Sequence, residues 1–522
     1  MKKIIYLMGC MFLTHVSWSQ DLYVGATGVV RITPTAFVYA GAEVEIEDGG
    51  DVTIDSDAEN SASFLAPNTS TGVAIGDITY KRYIADNNWH LVSAPVASQK
   101  IDDFVGENKE VVDYNADTGN HAVAYYNNTN NPGKRWTYHN TTTSGENKKN
   151  LTDINFIAGQ GYSMKKTAAG DYTFTGAMVN SDVTIPITTA EIVGTHLWTA
   201  IGNPFPSFLD VSEILSGNVN KLDAAFATLY VWNAASNGGE GSYDPADSGS
   251  KLLPGQAFMV KTRPSIELSF IFPKTSQKHK SGLAAFLRPS TATPTISVHL
   301  TNGTANKSTN LEFLDSATKG LDVGYDAGAY QDGTPSFSIN THLVSDSQGI
   351  DFTRQSLPIR VLDSGVAIPL SINAGINEEV TFSADTKNLP DGVSVYLEDT
   401  LNNTFTNLTA APLELNITEA LSGIGRFYLR TSSGVLSTET NLVGASIAVY
   451  KTSNGTVKIT GLSSGSTATF SMFTILGKEV LATKFIAQNV KEIVLPASLS
   501  TGVYIVGVVS DLGTFHKKII IE

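Results

Sequence analysis

Apolar side chains in this chain recur at every second position, in short runs cut off by glycine, asparagine and aspartate, and a helical period is nearly absent. Val29-Val-Arg-Ile32, Val44-Glu-Ile46, Val52-Thr-Ile54, Ile296-Ser-Val-His-Leu300, Val380-Thr-Phe382 and Val393-Ser-Val-Tyr-Leu397 all alternate in this way. A period of two sends successive side chains to opposite faces of an extended strand. The expected fold is therefore all-β. The 45 glycines and a charged share of only 16% fit strands joined by many turns. At 522 residues the chain exceeds one compact core, and roughly three or four domains are expected, most of them β-sandwich-like.

The net charge of -15 argues against nucleic acid and against a polybasic membrane contact, because both need clustered Lys and Arg. Residues 1–19 read as a secretory signal peptide. Lys2 and Lys3 open it, Ile4 to Leu13 form the apolar run, and Ser17 and Ser19 set small side chains before a cut between Ser19 and Gln20. That run is too short to span a bilayer, and no other stretch is apolar enough to do so. Leu7-Met-Gly-Cys10 also resembles a lipobox, but a cut there would leave about five apolar residues, against the usual ~7–15. Cys10 is the only cysteine, so a mature chain without it has neither disulfide nor thiolate metal site.

Residues 20–85 carry short alternating runs about eight residues apart, which fit either a small parallel β-helix or a strand meander. Residues 86–280 contain an internal repeat. Trp89-His-Leu-Val-Ser-Ala-Pro-Val96 is echoed by Trp198-Thr-Ala-Ile-Gly-Asn-Pro-Phe-Pro206, and Gly159-Gln-Gly-Tyr-Ser-Met-Lys-Lys166 by Gly255-Gln-Ala-Phe-Met-Val-Lys261. Trp and Gly lie 70 residues apart in the first copy and 57 in the second, a difference that a surface loop absorbs at little cost. Between the Trp and Gly-Gln segments of each copy lies an aromatic strand with a polar loop, Val123-Ala-Tyr-Tyr126 and Thr228-Leu-Tyr-Val-Trp232. Residues 281–431 alternate as an antiparallel sandwich does, with Leu389-Pro-Asp-Gly392 as a β-turn. Residues 432–440 read as a small-polar linker, and residues 441–522 as a further run of about seven strands.

The last segment contains Thr474-Ile-Leu-Gly-Lys-Glu-Val480, Leu499-Ser-Thr-Gly-Val-Tyr-Ile-Val506 and Phe515-His-Lys-Lys-Ile-Ile-Ile-Glu522. These motifs resemble the C-terminal sorting domain (type A) of flavobacterial-type proteins exported by type IX secretion. Gly477, Lys478, Gly502, Val503, Tyr504, Lys517 and Lys518 carry the likeness. One departure is Ala448-Val-Tyr-Lys-Thr452, where the family commonly has an Asn-Pro pair. The resemblance implies an Ig-like sandwich, recognition by the type IX machinery, and delivery outside the cell with release or attachment to surface lipopolysaccharide. The Trp and Gly-Gln segments, and Val395-Tyr-Leu-Glu-Asp399 with Gly425-Arg-Phe-Tyr-Leu-Arg430, resemble parts of other proteins with this tail and imply no activity. Asp315-Ser-Ala317 and Asp399-Thr-Leu401 resemble the short O-glycosylation pattern of such bacteria.

No catalytic residue or cofactor is expected. Gly461-Leu-Ser-Ser-Gly465, with Asp511 and His516 after it, fits the nucleophile-elbow pattern formally. That elbow needs a strand-to-helix turn on a large parallel sheet, so a plain turn is expected instead. The nine histidines form no short ligand pair. Asp113, Asn115 and Asp117 alternate as calcium ligands do, as do Asp55, Asp57 and Glu59. The glycine after Asp117 is one place late, and no glutamate closes that loop, so a solvated turn competes with a metal loop. Trp136, Tyr138, Trp232 and Tyr243 are placed in loops where they could stack on sugar rings, with Trp136 and Trp232 as the leading pair. The competing reading makes these two tryptophans the ends of core strands. The expectation is a non-enzymatic secreted or surface protein, adhesive or structural. A carbohydrate- or polymer-binding module is its rival, and an undetected extracellular hydrolase stands behind both.

Overall fold

The computed structural model describes residues 11–13, 17–19, 21–68, 75–109, 112–187, 196–234, 236, 241–246, 249–265, 268–279, 293–331, 335–432, 448–451, 456–462, 465–474, 479–488, 490–496, 499–500, 502–510 and 513–521. The fold is all-β, with short helices at Ile101–Glu107 and Val211–Ser216 among the few other elements.

The N-terminal strands pair in parallel on three sides. Val29–Ile32 lies beside Asp51–Ile54, Phe37–Ala40 beside Ser63–Leu65, and Leu22–Val24 beside Val44–Ile46. This is a three-sided parallel β-helix, and it settles the choice against a meander. The spacing of about eight residues marks one side; a full coil takes Val30 to Val52. Val24, Ile46, Val30, Val52, Ile32, Ile54, Val38 and Phe64 stack inward and are buried. Met11–Leu13 and Ser17–Ser19 pair in parallel with Val29–Ile32 and Phe37–Ala40, so part of the stretch read as a leader is placed as a further coil. Ser19 lies in that coil, and Gln20 lies outside the described residues.

Asp77–Ile84 leaves the β-helix and pairs antiparallel with Gly170–Ala177. One hydrophobic core consequently runs from Leu22 to Met178, across residue 85. The two copies of the repeat then share one sheet order. In the first, Trp89–Val92 is followed by Tyr162–Lys165, Asn120–Tyr126 and Trp136–Asn140. In the second the order is Trp198–Gly202, Ala257–Lys261, Tyr230–Asn233 and Ser242–Pro245.

The copies also exchange partners. The Ser93 N–H donates to the Gly255 carbonyl at 2.9 Å, and the Gly202 N–H donates to the Gly159 carbonyl at 2.9 Å. Single bridges join Val92 to Gln256 and Gln160 to Ile201. Each Trp strand is thus stitched to the other copy's Gly-Gln segment. Gly159 and Gly255 have φ of 84° and 65°, in the left-handed region where a side chain is strained, and this accounts for the repeated glycine.

The strands from Thr295–Thr301 to Leu421–Ser432 belong to one 11-stranded sheet rather than to two separate ones. Phe382 and Phe427, far apart in its strand order, meet with ring centroids 5.0 Å apart, so the sheet rolls over onto itself. The expectation of a purely antiparallel sandwich is corrected in one further respect. Asn306–Leu314 and Phe352–Pro358 run parallel, because the long connection between them crosses over instead of turning back as a hairpin.

The tail has its own core around Val449, Ile459, Phe470, Met472, Val506 and Val508, between a 3-stranded and a 4-stranded sheet. That is a sandwich. Gly502–Ser510, apolar on both faces, lies inside the 4-stranded sheet, and Gly513–Ile521 forms an edge on which Lys517 is exposed. Tyr504 is buried and its hydroxyl donates to the Ser500 carbonyl at 2.8 Å. Gly477 and Lys478 lie outside the described residues, as do the side chains of Val503 and Lys518 and most of the segment read as a linker.

Candidate functional site

Each copy of the repeat sets an aromatic pair across two neighbouring strands. In the first, Tyr126 faces Trp136 in register, with rings 5.0 Å apart at 73°. In the second, Trp232 faces Tyr243, with rings 4.8 Å apart at 64°. Tryptophan and tyrosine have changed strands between the copies. The counterpart of Trp136 is therefore Tyr243, and that of Trp232 is Tyr126. The loop placement expected of these aromatics is corrected: Trp136, Tyr138, Trp232 and Tyr243 all stand on strands, where facing rings stabilise the pairing.

The fold brings Trp136 and Trp232 together. With Trp89, Tyr138 and Tyr243 they line a cleft of about 230 Å³. Trp89 meets Tyr138 edge-on at 5.8 Å, and the Trp232 indole Nε1–H donates to the Trp89 carbonyl at 2.7 Å. That bond uses the indole's polar corner and leaves its faces for packing. All five rings are half-buried. Gly241, at φ 83°, makes room for Trp232, since a Cβ there would lie 2.1 Å from the indole.

Trp232 and Tyr243 also form a wall of a second, larger trough of about 880 Å³. Its floor is the outward face of three strands of the rolled sheet. Thr295 stands between Lys387 and Glu312, Ser297 between Asp385 and Asn310, and His299 beside Ser308. The Ser297 hydroxyl donates to Asn310 Oδ1 at 2.7 Å, and His299 Nε2 meets Asp385 Oδ2 at 3.1 Å. Tyr330 joins the wall, 4.2 Å from the Tyr243 ring.

Two titratable groups stand behind this wall, His196 half-buried and Asp326 fully buried. The Tyr126 hydroxyl bonds His196 Nε2 at 2.7 Å, and burial, with Arg135 and Lys261 nearby, pushes His196 down to about 4. The imidazole is thus neutral. Asp326 is fully buried and accepts from the Ser356 and Asp322 N–H groups at 2.6 and 2.7 Å, yet burial pushes it up to about 7. Its loop carries Gly328, whose carbonyl accepts from the Tyr230 hydroxyl at 2.8 Å, and then Tyr330. Burial raises the phenols of Tyr243 and Tyr330 in the wall, of Tyr138 in the cleft and of Tyr126 behind them, so these rings stay uncharged.

Asp113, Asn115 and Asp117 fall on a hairpin between Tyr114–Asn115 and Asn120–Tyr126. Asp113 pairs with Lys165 at 3.2 Å, Asn115 Oδ1 accepts from the Thr118 N–H at 3.0 Å, and Asp117 is exposed in the turn. Asp55 is buried against Arg31 at 2.5 Å, while Asp57 caps the N–H groups of Glu59 and Asn60. Among the described residues no group of three or more His, Cys, Asp or Glu could hold a metal ion. Gly461-Leu-Ser-Ser-Gly465 joins strand Thr456–Thr460 to strand Thr467–Thr474, not a strand to a helix; Ser463, Ser464 and Asp511 lie outside the described residues.

One arrangement was not foreseen from the sequence. On the loop between Ser338–Thr341 and Phe352–Pro358, the Ser347 hydroxyl stands 3.3 Å from His342 Nδ1, and His342 Nε2 stands 2.9 Å from Asp351 Oδ1. Neither cleft is lined by these residues. A ten-residue span holding Ser, His and Asp was the only signal for it.

Residues 452–522 match the model of the Secretion system C-terminal sorting domain. Residues 11–430 match a second model, which begins inside the stretch read as a leader. No curated protein matches the chain. The tail makes this a protein sorted by type IX secretion to the cell surface or the medium. By the match over most of its length, the chain belongs to the family described as Domain of unknown function (DUF8693).

Proposed function

We propose that the exported protein is a non-enzymatic surface adhesin that holds a polysaccharide at the aromatic cleft. One observation carries this reading: five half-buried rings drawn from both copies meet beside a floor of hydroxyl and amide side chains. Sugar rings offer apolar faces to aromatic rings and hydroxyls to polar side chains, and this site supplies both kinds of partner. A glycan array probed with the purified mature chain, with and without calcium, tests it. Binding should be lost in Trp136→Ala/Trp232→Ala. Binding that survives both changes, or no binding to any glycan, overturns the reading.

Delivery has tests of its own. Truncation after Thr438 should strand the protein in the periplasm, and N-terminal sequencing of the exported form should begin at Gln20. A start upstream of Met11 would mean that the coil formed by Met11–Leu13 and Ser17–Ser19 stays in the mature protein. Attachment to surface lipopolysaccharide belongs to the same proposal, since the tail's family implies it as one of two fates.

The hydrolase reading draws its support from Ser347, His342 and Asp351. Their order is that of a base held between a carboxylate and a hydroxyl. A fluorophosphonate probe should leave the protein unlabelled. Labelling that disappears in Ser347→Ala would replace the non-enzymatic reading with a hydrolytic one.

A further inference from the structure

We propose that the ligand is an uncharged polysaccharide gripped along its length, one stretch in the aromatic cleft and the adjoining stretch in the polar trough, with the Trp232–Tyr243 pair as the saddle between them. The inference rests on the glycan reading above and specifies which glycan and how it lies.

Continuity is the first support. Trp232 and Tyr243 line both spaces, so a chain leaving the cleft passes directly over these rings into the trough. Size is the second. At about 230 Å³ the cleft is smaller than ordinary small-molecule sites of roughly 300–1,000 Å³, whereas the trough at about 880 Å³ falls inside that range. The cleft alone encloses little of a ligand. A polymer that fills both gains the second contact without a second loss of translational freedom.

Charge supplies the class. The trough is lined by Asp244, Glu312 and Asp385 on one side of the balance and by Lys307, Arg354 and Lys387 on the other. Several of these are already engaged within the protein. Asp385 holds His299, and Asp244 accepts from Ser242 at 2.6 Å and from Asn233 at 2.9 Å. The neutral groups on the floor are Thr295, Ser297, Ser308 and Asn310; Ser297 already donates to Asn310 Oδ1, so this pair meets a sugar hydroxyl through the Asn310 amide N–H groups and the Ser297 oxygen. A chain of net charge -15 also repels polyanions at long range.

Calorimetric titration of the whole mature protein tests this. The probes are oligosaccharide ladders of β-1,4-glucan, β-1,3-glucan, β-1,4-xylan and β-1,4-mannan, with polygalacturonate and alginate fragments as anionic counterparts. Affinity for one neutral ladder should rise in a step of about tenfold, roughly 1.4 kcal/mol, when the oligomer becomes long enough to enter the trough. Asn310→Ala and Ser297→Ala should abolish the step and leave the shortest binders unchanged, whereas Trp232→Ala should weaken both. Polyuronates should bind at least about tenfold more weakly, with the gap narrowing in salt. Equal affinity along the ladder, or a uniform loss in the floor variants, overturns the two-part site. Tight polyuronate binding overturns the neutral class. If no saccharide binds, or if binding ignores Trp136 and Trp232, the glycan reading itself fails and this inference falls with it.

Discussion

The two copies of the repeat keep one backbone plan and divide its uses. Both run a Trp strand beside a Gly-Gln strand, follow the Trp strand with a short helix, and lend a glycine carbonyl to the other copy. Their side chains differ where they meet the rest of the chain. The first copy shares its core with the β-helix through Val92, Phe104, Val123 and Tyr162. The second has Tyr230 where the first has Ala124, and through that phenol it reaches the Gly328 carbonyl of the rolled sheet. What duplication preserved is hydrogen-bond register, because a slip of one residue would turn every buried side chain outward. What it released is the identity of the outward residues, and the aromatic cleft lies where the two sets converge.

The largest test of that shared plan is at its tightest contact. A Cβ on Gly202 would sit 2.5 Å from Ser93 Cβ and 2.9 Å from Ala257 Cα. Gly202→Val should destabilise the protein by about 1–3 kcal/mol or more in urea melts, the cost of overpacking a fitted interface. Ser93→Ala, at the equivalent place in the first copy, should cost far less. If the two variants melt alike, the exchange between copies is not the close contact described. Next in size is binding. Trp232 lines both clefts and Trp136 only one. Trp232→Ala should therefore cost more than about tenfold in glycan affinity, and Trp136→Ala only a few-fold. The reverse order would place the ligand on the first copy alone.

Much of this was legible in the chain, and the gaps have a physical pattern. Alternation at Val29–Ile32 and Asp51–Ile54 announces strands, but it cannot say whether they pair in parallel, because the period reports faces and not partners. The Gly-Gln echo is plain in sequence, whereas its reciprocal pairing across copies is a tertiary fact. Trp136 and Trp232 were singled out by residue type, and the fold does bring them together. That they come from different strands of the two copies, with Trp and Tyr trading places, shows only in the strand pairing. The trough floor was invisible for a simpler reason: Ser297, Ser308 and Asn310 look like any solvated strand face until Trp232 overhangs them.

A smaller effect separates the copies by pH. The second is tied to the rolled sheet through Gly328, on the loop that Asp326 holds. An ordinary carboxyl titrates near ~3.9, and burial pushes this one up to about 7. With the native pKa raised, Asp326 contributes its stability fully below the unfolded value and loses it as pH rises through about 7. Asp326→Asn keeps an acceptor for the Ser356 N–H and cannot ionise. Its stability relative to wild type should improve steadily between about pH 4 and 8. Parallel melting curves across that range would remove Asp326 as the loop's titrating group.

The smallest expected effect has the opposite sign. His196, two residues before Trp198, stands where the first copy has Asn87 before Trp89. Its native pKa, pushed down to about 4, lies below the unfolded value near ~6.5. Its contribution is therefore present above the unfolded value and is lost as pH falls through about 4. His196→Asn installs the first copy's residue, removes the titration and replaces the bond to the Tyr126 hydroxyl with a shorter amide. Wild type should lose stability relative to this variant as pH drops from about 6.5 to 4, while above that window the variant should be no more stable than wild type. A pH scan of both single variants would thus give difference curves of opposite slope, one anchored at the loop that carries Tyr330 and one at the Tyr126 end of the aromatic wall. Equal slopes would mean that the two ends of the wall titrate as one group, and the division of labour between the copies would not extend to their electrostatics.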